Sequence, residues 1–132
     1  MRTIPADINA DLHCHSIVSD GTLTPEALAC RAHTNGVRLW SLTDHDEVGG
    51  QERARIAAED IGMQYIPGVE ISVTWASKTI HIVGLGIDYT NTNLIEGLHR
   101  TRNGRSNRAV EIAEQLAKVG IPNAYHGALQ FV

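Results

Sequence analysis

Apolar residues fall along this chain in two rhythms, short continuous runs and longer stretches with helical spacing. Val37 to Thr43 carries Val37, Leu39, Trp40 and Leu42, which leaves little room for a polar face and predicts a strand buried on both sides. Tyr65 to Val73 predicts another strand, bent or bulged where Pro67-Gly68 interrupts it. Thr79 to Gly86 predicts a third, entered through a turn at Trp75-Ala76-Ser77-Lys78. Ala10 to Ser16 has the short alternation of a further strand.

Helical spacing fills the gaps. Thr24-Pro25-Glu26 predicts a helix start, with Thr24 as N-cap, Pro25 in the first turn and an acid beside the helix dipole. That helix runs to about Asn35 and stops at Gly36. A second, from roughly Gly49 to Ile61, presents Ala54, Ile56, Ala57, Ala58 and Ile61 and ends at Gly62. A long third helix, capped by Asn93, covers Leu94 to about Val119, with a bend expected at Asn103-Gly104 and a stop at Gly120-Ile121-Pro122. Strands alternating with helices predict an α/β fold of parallel βα units, whose functional groups gather at the carboxyl ends of the strands. No internal repeat, low-complexity segment or flexible linker is visible.

Composition narrows the class. With 132 residues, 42% hydrophobic and 20% charged, the chain is ordinary globular material for one domain. A net charge of -4 argues against broad non-specific nucleic-acid binding. No run reaches transmembrane length and Met1-Arg2-Thr3-Ile4-Pro5 lacks the apolar core of a secretory signal, so the expected location is cytoplasmic, away from membranes. Cys14 and Cys30 do not make a disulfide framework, and Cys14 is expected as a buried thiol.

The chemistry lies in residues that interrupt or end the apolar runs. On a strand, His13 and His15 would share a face, opposite Leu12 and Cys14, and Asp20 follows from the departing loop. Asp44-His45-Asp46 ends the second run, Glu70 sits in the third and His81 in the fourth. Imidazoles with carboxylates suit zinc, manganese or iron, and with more than one metal they suit phosphate-ester hydrolysis without a nucleophilic side chain. Asp44 has two readings: a carboxylate that holds a ligand imidazole or relays a proton, or a strand-end cap. Arg102, Arg105 and Arg108 share a broad helix face, with Arg100 nearby; the row reads either as a phosphate grip or as a solvated surface. Trp75 reads as a partly buried strand-end aromatic in preference to a base-stacking platform, and His33, His99 and His126 as surface or packing residues.

The ordered series His13-x-His15, Asp20, Thr43-Asp44-His45-Asp46, Gly68-Val69-Glu70 and His81 resembles the polymerase-and-histidinol-phosphatase (PHP) superfamily of metal-dependent phosphoesterases. Within it, Asp11 to Gly21, Leu42 to Asp46 and Val69 to Asp88 are most similar to the bacterial 3′,5′-nucleoside bisphosphate phosphatases, which remove a 3′-phosphate from molecules such as pAp; members also trim short RNA from its 5′ end. The resemblance implies part of a distorted (β/α)₇ barrel carrying up to three divalent metals. It implies one metal on His13 and His15, with Glu70 bridging to a second that His81 also holds, and a third on Asp20 and His45, with Asp44 catalytic.

Arg105 and Arg108 are then phosphate contacts on a segment, 91–132, leading into a small insertion, while 1–90 is the amino-terminal part of the phosphoesterase domain. The implied substrate is a nucleoside bisphosphate or short oligonucleotide, with no stable protein partner. Histidinol phosphate, a DNA end, or metal and nucleotide binding without catalysis are the alternatives. The family pattern continues for about as long again, with a further histidine and an Asp-x-His. The resemblance thus implies that the carboxyl-terminal half is absent, leaving an open sheet edge, uncovered apolar helix faces and a weakly active or inactive chain.

Overall fold

The computed structural model describes residues 7–131; Met1-Arg2-Thr3-Ile4-Pro5, read above for a secretory signal, lie outside the described residues. Strand β1 (Ala10–Asp11), helix α1 (Pro25–Thr34), β2 (Leu39–Trp40), α2 (Gln51–Asp60) and β3 (Gln64–Tyr65) come first. They are followed by β4 (Gly68–Trp75), β5 (Lys78–Leu85), α3 (Thr92–Lys118), α4 (Ala124–Ala128) and a 3₁₀ turn over Leu129–Phe131.

Strands β1, β2 and β3 form a parallel sheet in that order, with Ala10 opposite Leu39 and Leu39 opposite Gln64. Parallel neighbours need crossovers, which α1 and α2 supply. Thr24 caps α1 by accepting the Ala27 amide at 3.2 Å. Gly36 (φ +82°) and Gly62 (φ +74°) lie just past the ends of α1 and α2 in the left-handed region. Between the helices and the sheet lies one core of Trp40, Leu42, Met63 and the alanines Ala29, Ala32, Ala54 and Ala58. The alanines let two helices approach each other closely over the same large side chains.

The run from Tyr65 to Val73, expected as one bent strand, is divided between β3 and β4. The break is tight: a Cβ on Gly68 would sit 2.4 Å from Ser41 Oγ and 2.8 Å from Thr43 Cγ2. Strand β4 meets the parallel system through a bridge between His45 and Glu70. Gln51 ties the seam, donating through Nε2 to the carbonyls of Leu42 (2.9 Å) and Gly68 (2.8 Å).

Parallel βα units do not extend further along the chain. Strand β5 returns antiparallel to β4, with Ser72 opposite His81 and Glu70 opposite Val83. The connection is only Ala76-Ser77, at φ +49° and +65°, too short for a crossover and of the hand that closes a two-residue hairpin. Two further expectations shift. The cap of α3 is Asn91, which accepts the Leu94 amide at 3.1 Å, in place of Asn93. The helix also runs unbroken through Asn103-Gly104.

Leu98 of α3 is buried with Val69 and Val48, which seats the helix against β4. Away from this contact the apolar surface is open. Ile80, Ile82, Val83 and Leu85 of β5 are exposed, as are Ile112, Val119 and Phe131, and among the described residues β5 pairs with β4 alone. This matches the open edge and uncovered helix faces that the resemblance implies. No described helix is long and apolar enough to cross a membrane.

Candidate metal centre

His13 and His15 lie just past β1 in irregular chain, not on a strand. The loop that carries them is nonetheless fixed. Asp44, fully buried, accepts the Ser16 amide at 2.6 Å, the Ser16 hydroxyl at 2.7 Å and the Ser19 hydroxyl at 2.7 Å. The Gly21 amide closes the turn onto the Ser16 carbonyl at 2.9 Å, and a Cβ at Gly21 would lie 2.1 Å from the His15 carbonyl oxygen. Asp44 is thus engaged by the serines of this loop, the arrangement of the strand-end cap that is its second reading.

The loop delivers its imidazoles to Glu70. His13 Nε2 lies 2.6 Å and His15 Nε2 3.0 Å from Glu70 Oε2. His45, on the bridge to Glu70, places Nε2 3.8 Å from Glu70 Oε2 and 3.8 Å from Asp20 Oδ2. Asp20 Oδ1 is 3.4 Å from His15 Nδ1. From β5, His81 Nδ1 reaches Glu70 Oε1 and His45 Nδ1, each at 3.2 Å.

Among the described residues, three overlapping groups could hold a metal ion: His13, His15 and Glu70; His15, Asp20 and His45; and His45, Glu70 and His81. Within each group the donor atoms lie within 4.8 Å of one another. His15, His45 and Glu70 each serve in two groups, so the groups form a single cluster.

The donors fit divalent cations. His13 and His15 turn Nε2 atoms toward each other at 3.2 Å while both face one carboxylate oxygen, a crowding of lone pairs that hydrogen bonds alone satisfy poorly. His45 and Glu70 are shifted toward the forms that bind metal. Burial holds the His45 imidazole below its ordinary range, against the opposing charge of Glu70. Burial acts to raise Glu70, but the His13 hydrogen bond and the neighbouring imidazoles outweigh it and hold the carboxyl below its usual range. Neutral imidazole and ionised carboxylate are the states that bind metal.

Beside the cluster, the arginine row divides. Arg102 pairs with Glu47 Oε2 at 2.9 Å and donates to the Asp46 carbonyl. Arg105 lies 3.4 Å from Asp46 Oδ2. Arg105 and Arg108 face a cleft of about 210 Å³ with Ser72, Thr74, Thr79 and Thr101. Arg100 reaches Glu96, at 4.0 Å, and does not line this cleft.

Other residues settle elsewhere. Cys14 receives the Trp40 indole N–H at 3.2 Å, and burial pushes its thiol up to about 12. Trp75 is 70% exposed at the hairpin tip, contrary to the expectation of partial burial. His33, His99 and His126 are exposed and outside the cluster. Gln51 and Ser16 carried no sequence signal, since their importance lies in distant partners. Asp46 stood in the motif without an assigned role.

Residues 11–126 match the family model for the PHP domain. The chain is 49% identical over 118 residues to a 5′-3′ exoribonuclease of Haemophilus influenzae, covering 89% of this chain and 43% of that protein. It is 44% identical over 123 residues to a 3′,5′-nucleoside bisphosphate phosphatase of Chromobacterium violaceum, covering 93% and 43%. A crystal structure of an amidohydrolase from Chromobacterium violaceum, with bound sulfate and no metal, superposes with a TM-score of 0.81 at 44% identity, over 92% of this chain and 43% of that one. The chain thus spans less than half the length of these relatives.

Proposed function

This chain belongs to the PHP domain family, and on that premise we propose that it supplies the ligand cluster of a metal-dependent phosphoesterase acting on 3′,5′-nucleoside bisphosphates such as pAp, or on short RNA from its 5′ end. The observation that carries the reading is the overlap of the ligand groups on His15, His45 and Glu70. Shared ligands hold cations close enough together to act on one phosphate.

Divalent cations, whether manganese, zinc or iron, would supply Lewis acidity toward a phosphoryl oxygen and would lower the pKa of water when bound here. The residues supply the frame. His13, His15, Asp20, His45, Glu70 and His81 are the proposed ligands, and Glu70, almost fully buried, is the joint between the loop and the hairpin. Asp44 holds the Ser16–Ser19 turn from which His15 and Asp20 project, a role that acts through the ligands and not on substrate. Arg105 and Arg108 are the proposed contacts for a second phosphate, which would set a bisphosphate across the cleft with one end at the cluster.

Phosphate release from pAp with added manganese tests the reading, in this chain and in a longer polypeptide of the relatives' length that carries it. Release by the longer protein that His13→Ala and Glu70→Ala both abolish is the expected result. Faster release from histidinol phosphate would reassign the substrate. Metal binding with no release from any phosphate ester would leave a binding module.

A further inference from the structure

We propose that Asp46 is the positioning residue that joins the strands of the metal cluster to the arginine row, holding Arg105 where it meets an anionic group; the inference rests on the phosphoesterase reading above. Asp46 is fully buried and adopts φ +52°, a conformation that Asp tolerates better than most residues with a side chain. Its backbone begins as a regular parallel ladder. The Glu70 amide donates to the Asp44 carbonyl at 3.2 Å, and the Asp46 amide to the Glu70 carbonyl at 2.9 Å.

The next bond in such a ladder would run from the Ser72 amide to the Asp46 carbonyl. It is replaced: Ser72 N donates to Asp46 Oδ1 at 2.7 Å, and the turned-out carbonyl accepts from Arg102 on α3. The left-handed twist at one residue thus exchanges a strand bond for a helix contact. The second carboxylate oxygen, Oδ2, has no hydrogen bond and faces Arg105 Nη2 at 3.4 Å. A buried carboxylate needs a counter-charge, and Arg105 is the cation placed to provide it.

This fixes the cleft. Arg105 is only partly exposed and lines the cavity with Arg108, while Ser72 Oγ, also buried and without a hydrogen-bond partner, belongs to the same wall. A guanidinium has five N–H donors, so engagement with Asp46 leaves donors for a phosphate. The same residue that sets the Glu70 register therefore sets the aim of Arg105.

Charge and position make opposite predictions. Neutralising a carboxylate beside an anion site tightens anion binding if only its charge matters, whereas loss of a positioner weakens it. The experiment is titration of chelator-treated protein with inorganic phosphate, comparing the native chain with Asp46→Asn, Arg105→Ala and the double variant. Asn retains both the Ser72 acceptor and tolerance of positive φ. The expected result is a loss of about threefold or more in each single variant, with the double variant no weaker than Arg105→Ala alone. Unchanged or tighter binding by Asp46→Asn, additive losses, or no phosphate binding by the native chain would overturn the inference.

Should Asp46→Asn not fold, the Nε–H resonance of Arg105 in the native protein decides. A dispersed, ordered signal supports the tether, and a motionally averaged one overturns it. Manganese binding by the native chain, measured separately, reports on the phosphoesterase reading. Its failure is thereby kept distinct from failure of the Asp46 tether, which is read in metal-free protein.

Discussion

Ser16 meets Asp44 with both of its polar groups: the amide donates to Oδ1 at 2.6 Å and the hydroxyl to Oδ2 at 2.7 Å, across 28 positions of sequence. This pairing pins the loop between His15 and Asp20 to the end of the β2 run. Asp44→Ala is expected to weaken metal binding without removing a proposed ligand, because the loop that presents His15 and Asp20 loses its anchor. It should also cost about 1–3 kcal/mol of stability by stranding buried donors. Equilibrium dialysis against manganese and urea unfolding measure the two effects.

Gln51 is the larger structural liability. Besides its two donations to carbonyls, its Oε1 accepts the Tyr65 hydroxyl at 2.6 Å and the Gly68 amide at 3.2 Å. Leucine has similar bulk and none of these bonds. Gln51→Leu is expected to lower unfolding free energy by about 2–4 kcal/mol, several times the effect of an ordinary surface change, as a denaturant midpoint shift.

Acid sensitivity should include the Glu26–Arg53 pair between α1 and α2. Arg53 donates to both carboxylate oxygens, at 2.7 and 2.8 Å, and holds the Glu26 carboxyl down from its ordinary 4.5 to about 2. A carboxyl lowered on folding contributes stability above its unfolded value, and that contribution is lost as pH falls from 4.5 toward 2. Because the pair is exposed and screened by solvent, its contribution is small. Glu26→Gln should lower stability slightly at pH 7 and converge with the native chain near pH 2, read by unfolding at a series of pH values.

The cysteines should react at different rates. Cys30 is exposed on α1, whereas Cys14 is partly buried against Trp40, with its thiol raised to about 12. The thiolate is the reactive form. Iodoacetamide at pH 8 is expected to modify Cys30 in the folded protein and Cys14 only after unfolding, as peptide mass mapping would show. Equal labelling of both in folded protein would contradict the placement of Cys14.

What could be read from sequence was local. Thr24, Gly36 and Gly62 mark helix boundaries through their own backbone chemistry, and the structure places caps and turns there. The turn at Trp75-Ala76-Ser77-Lys78 is legible, but the antiparallel pairing it makes is not, because Ala76-Ser77 has positive φ at both residues without the Asn-Gly or Gly that normally signals a tight hairpin. The cap of α3 is Asn91 where Asn93 is expected, a shift that residue type alone does not signal because both are asparagines. His13, His15, Asp20, His45, Glu70 and His81 were visible as interruptions of apolar runs, and the fold gathers them into one cluster. The buried work of Asp44, Asp46 and Gln51 was not legible, because each acts on partners that folding alone brings near.

The most direct test is the metal content of this chain after dialysis against manganese or zinc, compared with Glu70→Ala and His13→Ala. Glu70 belongs to two of the candidate ligand groups and His13 to one. More than one bound ion is expected in the native chain, with a greater loss of stoichiometry in Glu70→Ala than in His13→Ala. A native chain that retains no divalent metal, or a Glu70→Ala variant that retains the full complement, would contradict the proposed cluster.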